Sequence, residues 1–270
     1  MSVSESALST HPRRSSNVWR KRLVSAAFPL AALVALLVVW EGLVDLLQVP
    51  TYLIAAPSAV WAAFIENPGY ILKHTAATGF AALAGFTLAL LIGGILAVVI
   101  AYSRALERAI YPYLIITKVV PIIAIAPVLA IWFGFGVLPK IIVSFLIAFF
   151  PIVVNLVLGL RSPDRGMLML MRSMNAREAD TFRKVRLPFA LPLLFAACRV
   201  AAPTTVIGAI VAEFVGSDSG LGYVILVAKG YLQTDVIFLA VAASSILGIL
   251  MFGTVVFIES RVVRWHESQI

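Results

Sequence analysis

RSPDRGMLMLMRSMNAREADTFRKVRLPFALP, residues 161–192, is the stretch on which the reading of this chain turns. Long apolar runs flank it, yet no membrane helix can absorb seven Lys and Arg side chains in 32 residues. It holds a Met/Leu run, then a helix break at Asn175–Ala176, and closes on Leu187–Pro188. A single elaborate polar loop in an otherwise apolar chain is built to touch something outside the membrane.

Outward from that loop the chain is 61% hydrophobic and 13% charged, with a mean hydropathy of +1.02. That is too apolar for a soluble globule. A span needs about 20 apolar residues to cross a hydrocarbon core of about 30 Å. Several such runs fit within 270 residues, so the expected fold is an all-α polytopic membrane protein with one membrane domain. The net charge of +8 does not call for nucleic acid, because basic residues collect in the cytoplasmic loops of membrane proteins regardless of partner. The single Cys198 lies in an apolar stretch, which rules out an internal disulfide and reads as a buried thiol.

Six spans are expected, near residues 23–47, 79–102, 113–135, 138–160, 193–216 and 236–259. Together they form a membrane domain over 23–260, between a disordered tail at 1–22 and a short tail at 261–270. Pro121 and Pro127 interrupt the third span, and proline removes a backbone donor and crowds the preceding turn, so this helix is expected to kink or break. Orientation follows from the basic residues. With the N-terminus inside, the cytoplasmic side receives sixteen Lys and Arg, and the opposite side only Lys73, Lys140 and Lys229. Both termini are therefore expected in the cytoplasm, in a multi-pass protein of the inner or plasma membrane; the resemblance given below implies a bacterial cell.

Two further patterns concern packing. Pro57–Ser58 can start a short helix at the outer interface, capped by Ser58 and stopped by Asn67–Pro68–Gly69. In the second span Ala77, Ala81, Gly85, Ala89, Gly93, Ala97 and Ala101 recur at every fourth residue. Lipid tails give no hydrophobic drive for helix pairing, so a smooth ridge that permits close backbone approach marks a central helix.

Ionisable and polar groups within spans are costly, and each is a candidate for the pathway or its gate. Lys118 precedes Pro121 in the broken span and either snorkels to the cytoplasmic surface or lines a pathway near the kink. Asn155 is expected to bond across helices. Glu41 is expected at an interface. Arg199 and Glu213 share the fifth span but stand fourteen residues apart, about 21 Å along a helix, so they cannot pair with each other. With Pro121, Pro127, Gly216, Gly220 and Gly222 they complete the candidate pathway set. His11, His74 and His266 are scattered over a tail, an outer loop and the C-terminus, so no metal site is expected. No H-E-x-x-H, P-loop or G-x-S-x-G pattern is present, which leaves the chain without a catalytic motif or an ATPase motor of its own.

Within the loop, Met167–Met174 can form a short helix with one apolar side. Asn175 is the natural break, because Asn tolerates the left-handed conformation best after Gly. A second short helix is expected through Arg177–Lys184. Phe182 and the Met side chains then stand as exposed apolar groups in a basic loop, the composition of a docking element, or else pack on the inner ends of neighbouring spans.

At these residues the chain resembles the membrane-spanning permease of a bacterial ATP-binding-cassette importer. That family carries Glu-Ala-Ala, three residues, Gly, nine residues, an aliphatic residue, one more, then Leu-Pro. Here Asn175 takes the Gly place, and Val185–Arg186–Leu187–Pro188 follow at the right distance, while Met169–Leu170–Met171 replaces Glu-Ala-Ala. PSAVWAAF at 57–64, PIIAIAPVLAIWFGFG at 121–136 and RVAAPTTVIGAIVAEFVGSDSGLGYVI at 199–225 also resemble the nitrate, sulfonate and taurine branch. The MRSM and GSDSGLGYVI stretches are similar to permeases for pyrimidine or flavin vitamin precursors.

The resemblance implies a type I importer permease fold and a homodimer of permease chains presenting the loop as a coupling helix. It also implies ABC ATPase subunits that bind ATP and Mg and receive that helix, and an extracytoplasmic protein that delivers a small solute. The contact residues it implies are Arg172, Ser173, Met174, Asn175, Ala176, Arg177, Glu178, Ala179, Asp180 and Phe182, with Leu187 and Pro188 ending the loop. An ATP-independent secondary transporter or channel, and a scaffold that uses the loop to dock a regulator, are the alternatives. The first lacks a visible inverted repeat and has few buried groups to couple an ion.

Overall fold

The computed structural model describes residues 17–263, and every regular element among them is a helix. The remaining parts of the two expected tails lie outside the described residues. Helix α1 spans Asn17–Leu46, so Asn17–Arg22 belong to the first helix rather than the tail. Neither Gly nor Pro interrupts that approach, and Arg, Lys and Leu are good helix formers.

Helices α2 (Pro57–Glu66) and α3 (Pro68–Tyr102) meet at Asn67, whose side chain accepts the Tyr70 N–H at 3.1 Å and starts α3. Ser58, expected as the cap of α2, lies inside it instead. Pro57 takes the first helical position, where its missing N–H costs nothing, and Ser58 donates its N–H and hydroxyl to the Glu41 carboxylate of α1. Because α3 starts eleven residues before the expected span, His74 belongs to a membrane helix and is buried, not in an outer loop.

The third span is broken where the prolines predicted. Helix α4 (Arg104–Val119) and helix α5 (Ile122–Phe133) are separated by extended backbone at Val120–Pro121, while Pro127 lies within α5. Then come α6 (Val137–Arg161), α7 (Arg165–Ser173), α8 (Glu178–Thr181), a π-helical turn at Phe182–Arg186, α9 (Leu187–Val215), α10 (Leu221–Gly230) and α11 (Thr234–Val262). Among the described residues, five helices are long and apolar enough to cross a membrane: α1 from Phe28, α3, α6, the continuous run ending in α9, and α11.

Contacts along these helices give their directions. Gly85 faces Ser144 and Gly93 faces Val153, while Arg161 at the end of α6 donates to the Ile100 carbonyl at the end of α3 (2.8 Å). Helices α3 and α6 are thus parallel, and the chain between them must cross back, which makes α4 and α5 together the sixth crossing. Helix α9 runs antiparallel to α6, with Ala190 against Gly159 and Gly208 against Ser144. Helix α11 runs antiparallel to α9, placing Glu259 on Arg199 and Met251 on Thr205. Six crossings bring both described ends of the chain to one side.

Helix α6 sits between α3 and α9. The small-residue ridge makes this possible: Ala81, Gly85, Ala89, Gly93 and Ala97 are all buried, and a Cβ on Gly85 would lie 2.5 Å from Ser144 Cβ and 2.8 Å from the Ile141 carbonyl. Overpacking of this kind costs about 1–3 kcal/mol where side chains can shift, and backbone cannot shift cheaply. Gly85→Val should therefore lower the melting temperature of the purified protein, whereas Gly94→Val, at a position with open space around it, should not.

Candidate functional site

Two polar constellations stand out, at opposite ends of the helices. At the end carrying Arg161 and Arg186, Asp164 caps α7 by accepting the Gly166 N–H at 2.9 Å. Helix α7 ends in a Schellman turn. Asn175 has φ 54°, its N–H donates to the Arg172 carbonyl (2.9 Å), and the Ala176 N–H donates to the Met171 carbonyl (3.0 Å). The left-handed break expected at Asn175 is therefore present.

Met167, Met169, Leu170 and Met174 remain exposed on this short helix, with Leu170 at 59% and Met174 at 69%. Arg172, Ser173, Arg177, Glu178 and Ala179 are exposed beside them, and Ala176 and Asp180 are half-buried. Of the two positions open to it, docking surface or packing on neighbouring spans, Phe182 takes the second. It is half-buried, 6.5 Å from the Tyr102 ring, at the edge of an apolar cluster formed by the ends of α3, α6 and α9. Thr181 and Val185 are buried with it, so this second short segment is an anchor.

Leu187–Pro188, expected to end the loop and lead into the next span, stands where the π turn runs without a break into α9. Pro188 has no N–H, and its ring crowds the carbonyl one turn back. The chain absorbs this by widening into the π turn, in which the Leu187 N–H reaches the Phe182 carbonyl, and continues into α9. Arg186 ties the turn to α6 through the Leu160 carbonyl (3.0 Å) and lies 5.0 Å over the Tyr102 ring. Arg161 meets Glu107 of α4 at 2.6 Å.

The second constellation surrounds Glu213, near the far end of α9 and fully buried. The carboxylate accepts the Thr78 hydroxyl of α3 (2.9 Å) and the Gly222 N–H of α10 (2.8 Å), and Lys140 of α6 stands 3.9 Å away. Lys140, 3% exposed, donates to the Ser219 carbonyl at 2.7 Å. His74 accepts the Gly220 N–H at Nδ1 (2.9 Å), and Thr78 also accepts the Leu221 N–H (2.8 Å). These bonds fasten the loop 216–220 to three crossings. Gly220, at φ 108°, has no room for a Cβ against the carboxylate, and a Cβ on Gly222 would lie 2.7 Å from that of Glu213.

The structure thus gathers Glu213, Gly220 and Gly222 from the expected pathway set and leaves the others apart. Gly216, at φ 157°, begins the same loop against the Phe135 ring. Arg199 pairs instead with Glu259 of α11 at 2.5 Å. Asn155 bonds the Pro151 carbonyl of its own helix at 2.8 Å rather than reaching across, because that carbonyl lies one turn back on the same face. The side chain of Lys118 lies outside the described residues.

Lys140, Thr78, His74 and Ser219 were not singled out from sequence. Depth and sign could have paired Lys140 with Glu213, since one opens the fourth span and the other closes the fifth. The same logic joins Arg199 to Glu259. Among the described residues, no group of His, Cys, Asp and Glu could hold a metal ion.

A six-crossing helical membrane domain with a short amphipathic helix projecting at one end has the architecture of a transport permease. The family model for the binding-protein-dependent transport system inner membrane component matches residues 89–267. The riboflavin transport system permease protein RibX of Chloroflexus aurantiacus is 37% identical over 238 residues, 87% of this chain and 89% of that protein. The formylaminopyrimidine transport permease protein ThiX of Halalkalibacterium halodurans is 31% identical over 250 residues, 92% of this chain and all of that protein. Other relatives are named for aliphatic sulfonates and taurine. A chain of the MetNI methionine ABC transporter, solved in an inward facing conformation, superposes with a TM-score of 0.55 at 25% identity, covering 72% of this chain and 93% of its own. The chain belongs to the family of binding-protein-dependent transport permeases, the multi-pass membrane subunits of ABC importers.

Proposed function

We propose that this chain is the translocating subunit of an ATP-driven importer, and that α7 with its Asn175 turn is the element through which a partner ATPase drives it. The observation that carries this reading is the exposed apolar face of α7, held rigid by the Schellman turn and anchored through Phe182, Val185 and Arg186. Exposed Met and Leu on a short helix at a basic end are the chemistry of a docking lever. Met169–Leu170–Met171, standing where the family has Glu-Ala-Ala, makes this contact more apolar than the family pattern.

In this reading two permease copies form the pathway between them, and an extracytoplasmic binding protein delivers the solute. ATP binding closes the motor, draws the paired α7 helices together and favours the outward-open state; hydrolysis resets it. The motor acts by binding the two states of the membrane domain with different affinity. For the solute, the relatives named for riboflavin and formylaminopyrimidine support a small heteroaromatic vitamin precursor ahead of a sulfonate or taurine.

Arg177 and Arg183 are exposed beside the apolar face. Reversing both to Glu should cut co-purification of the ATPase several-fold while leaving the permease inserted at its normal level. Undiminished assembly at physiological salt would remove the loop from the coupling role.

A further inference from the structure

Between α1, α2, α3 and α11 lies a crevice of about 530 Å³ that the transport reading does not use. Leu37, Trp40, Trp61, Leu72, Phe238 and Leu250 are among its lining residues. Its walls are almost wholly apolar, and the one lining hydroxyl, Thr75, is already donated to the Ile71 carbonyl of its own helix at 2.8 Å. Helix α1 meets its neighbours near its end, through Glu41 on Ser58 and the Trp40 ring 5.3 Å from Phe238. Below those contacts it stands away from the bundle, with Leu33, Leu36 and Leu37 exposed.

Depth and length identify what fills such a space. Helix α2, bearing Trp61 and Phe64, roofs the crevice at the end away from Arg161 and Arg186, where amphipathic aromatics sit at headgroup level. From Phe238 to Leu250 it descends along α11 for twelve residues, about 18 Å at the helical rise. One leaflet of a hydrocarbon core is about 15 Å deep. The crevice is therefore as long as one leaflet, starts at the interface and lies among membrane-spanning helices. Neither Trp40 nor Trp61 has an acceptor for its indole N–H among the described residues, which leaves two donors at the mouth for a lipid ester or phosphate oxygen.

We propose that this crevice is a binding site for one acyl chain of a membrane phospholipid, with the headgroup held at the level of Trp40 and Trp61. The lipid acts as a spacer that joins α1 to α11 where protein contacts are missing. The site rests only on the membrane-spanning fold and stands or falls separately from the transport reading.

The test uses the full chain reconstituted in phosphatidylcholine liposomes that contain a phospholipid with a diazirine in its acyl chain. After irradiation, adducts are mapped by mass spectrometry. They should concentrate on Leu37, Leu72 and Phe238, at least fivefold above Val38 and Val39 on the far face of α1. Ala243→Trp should remove the excess by filling the crevice, and the milder Ala242→Leu should reduce it, with labelling of Val38 unchanged in both. Equal labelling of both faces would overturn the site, as would an excess that survives both substitutions. Label absent from the crevice but normal on Val38 and Val39 would mean that protein covers it, for example a helix of a second copy, and would overturn the proposal too.

Discussion

Glu213→Ala is expected to be among the most damaging single substitutions in this chain. It leaves Lys140 charged, 3% exposed and without its counter-ion, and strips the Gly222 N–H and the Thr78 hydroxyl of their shared acceptor. Removing one partner of a buried ion pair costs about 3–5 kcal/mol. At about 2–4 °C per kcal/mol for chains of this size class, the melting temperature in detergent should fall by roughly 10 °C. Removing both charges should hurt less: Glu213→Leu with Lys140→Met should melt above Glu213→Ala alone, because no uncompensated charge stays buried. If Glu213→Ala melts like the natural protein, the carboxylate does not hold the 216–220 loop to α3 and α6.

The second large effect falls on coupling rather than stability. Asn175 holds φ 54°, a region that a β-branched residue enters at a cost of about 1–3 kcal/mol and that glycine enters freely. Asn175→Val should therefore open the Schellman turn and release the orientation of α7, lowering ATP-dependent uptake at least tenfold. The bundle itself should stay intact, since Asn175 is exposed. Asn175→Gly should keep uptake within about twofold of the natural protein, being conformationally permissive. Equal uptake by the two variants would show that the left-handed turn is not what aims α7.

How much of this was legible follows from the range over which each signal acts. The Asn175 turn, the break at Pro121 and the small-residue ridge of α3 are local or periodic, and residue type fixes them through backbone sterics. Each appears where the sequence places it. The Glu213 site draws Thr78 and His74 from α3 and Lys140 from α6, with Glu213 and Thr78 135 positions apart, and no spacing encodes that meeting. Phe182 shows the limit in another way. Its apolar side chain and basic neighbours fit a docking surface equally well or an anchor, and only the position of Tyr102 decides for the anchor. Asn155 satisfied itself within its own helix, an option that a polar residue one turn beyond a carbonyl always has.

These parts join in one physical picture. In the proposed reading α7 is a lever, joined through Phe182 and Arg186 to the ends of α3 and α6, which Arg161 ties to each other, so that force on it would reach the two parallel helices at the centre of the bundle. At their other ends, the Glu213 and Lys140 cluster closes the 216–220 loop over α3, α6 and α9. In that reading a motor pulling on one end would work against these contacts at the other, the two ends belonging to one two-state element.

Solute uptake into proteoliposomes is the most direct measure of the central claim. The permease is reconstituted with its ATPase and its binding protein loaded with solute, and uptake is followed with an active and a hydrolysis-dead motor. Uptake should require ATP, should fall to background with the dead motor, and should fall likewise with the active motor when Leu170 and Met174 are both changed to Glu. Uptake that continues unchanged with the hydrolysis-dead motor would contradict an ATP-driven permease.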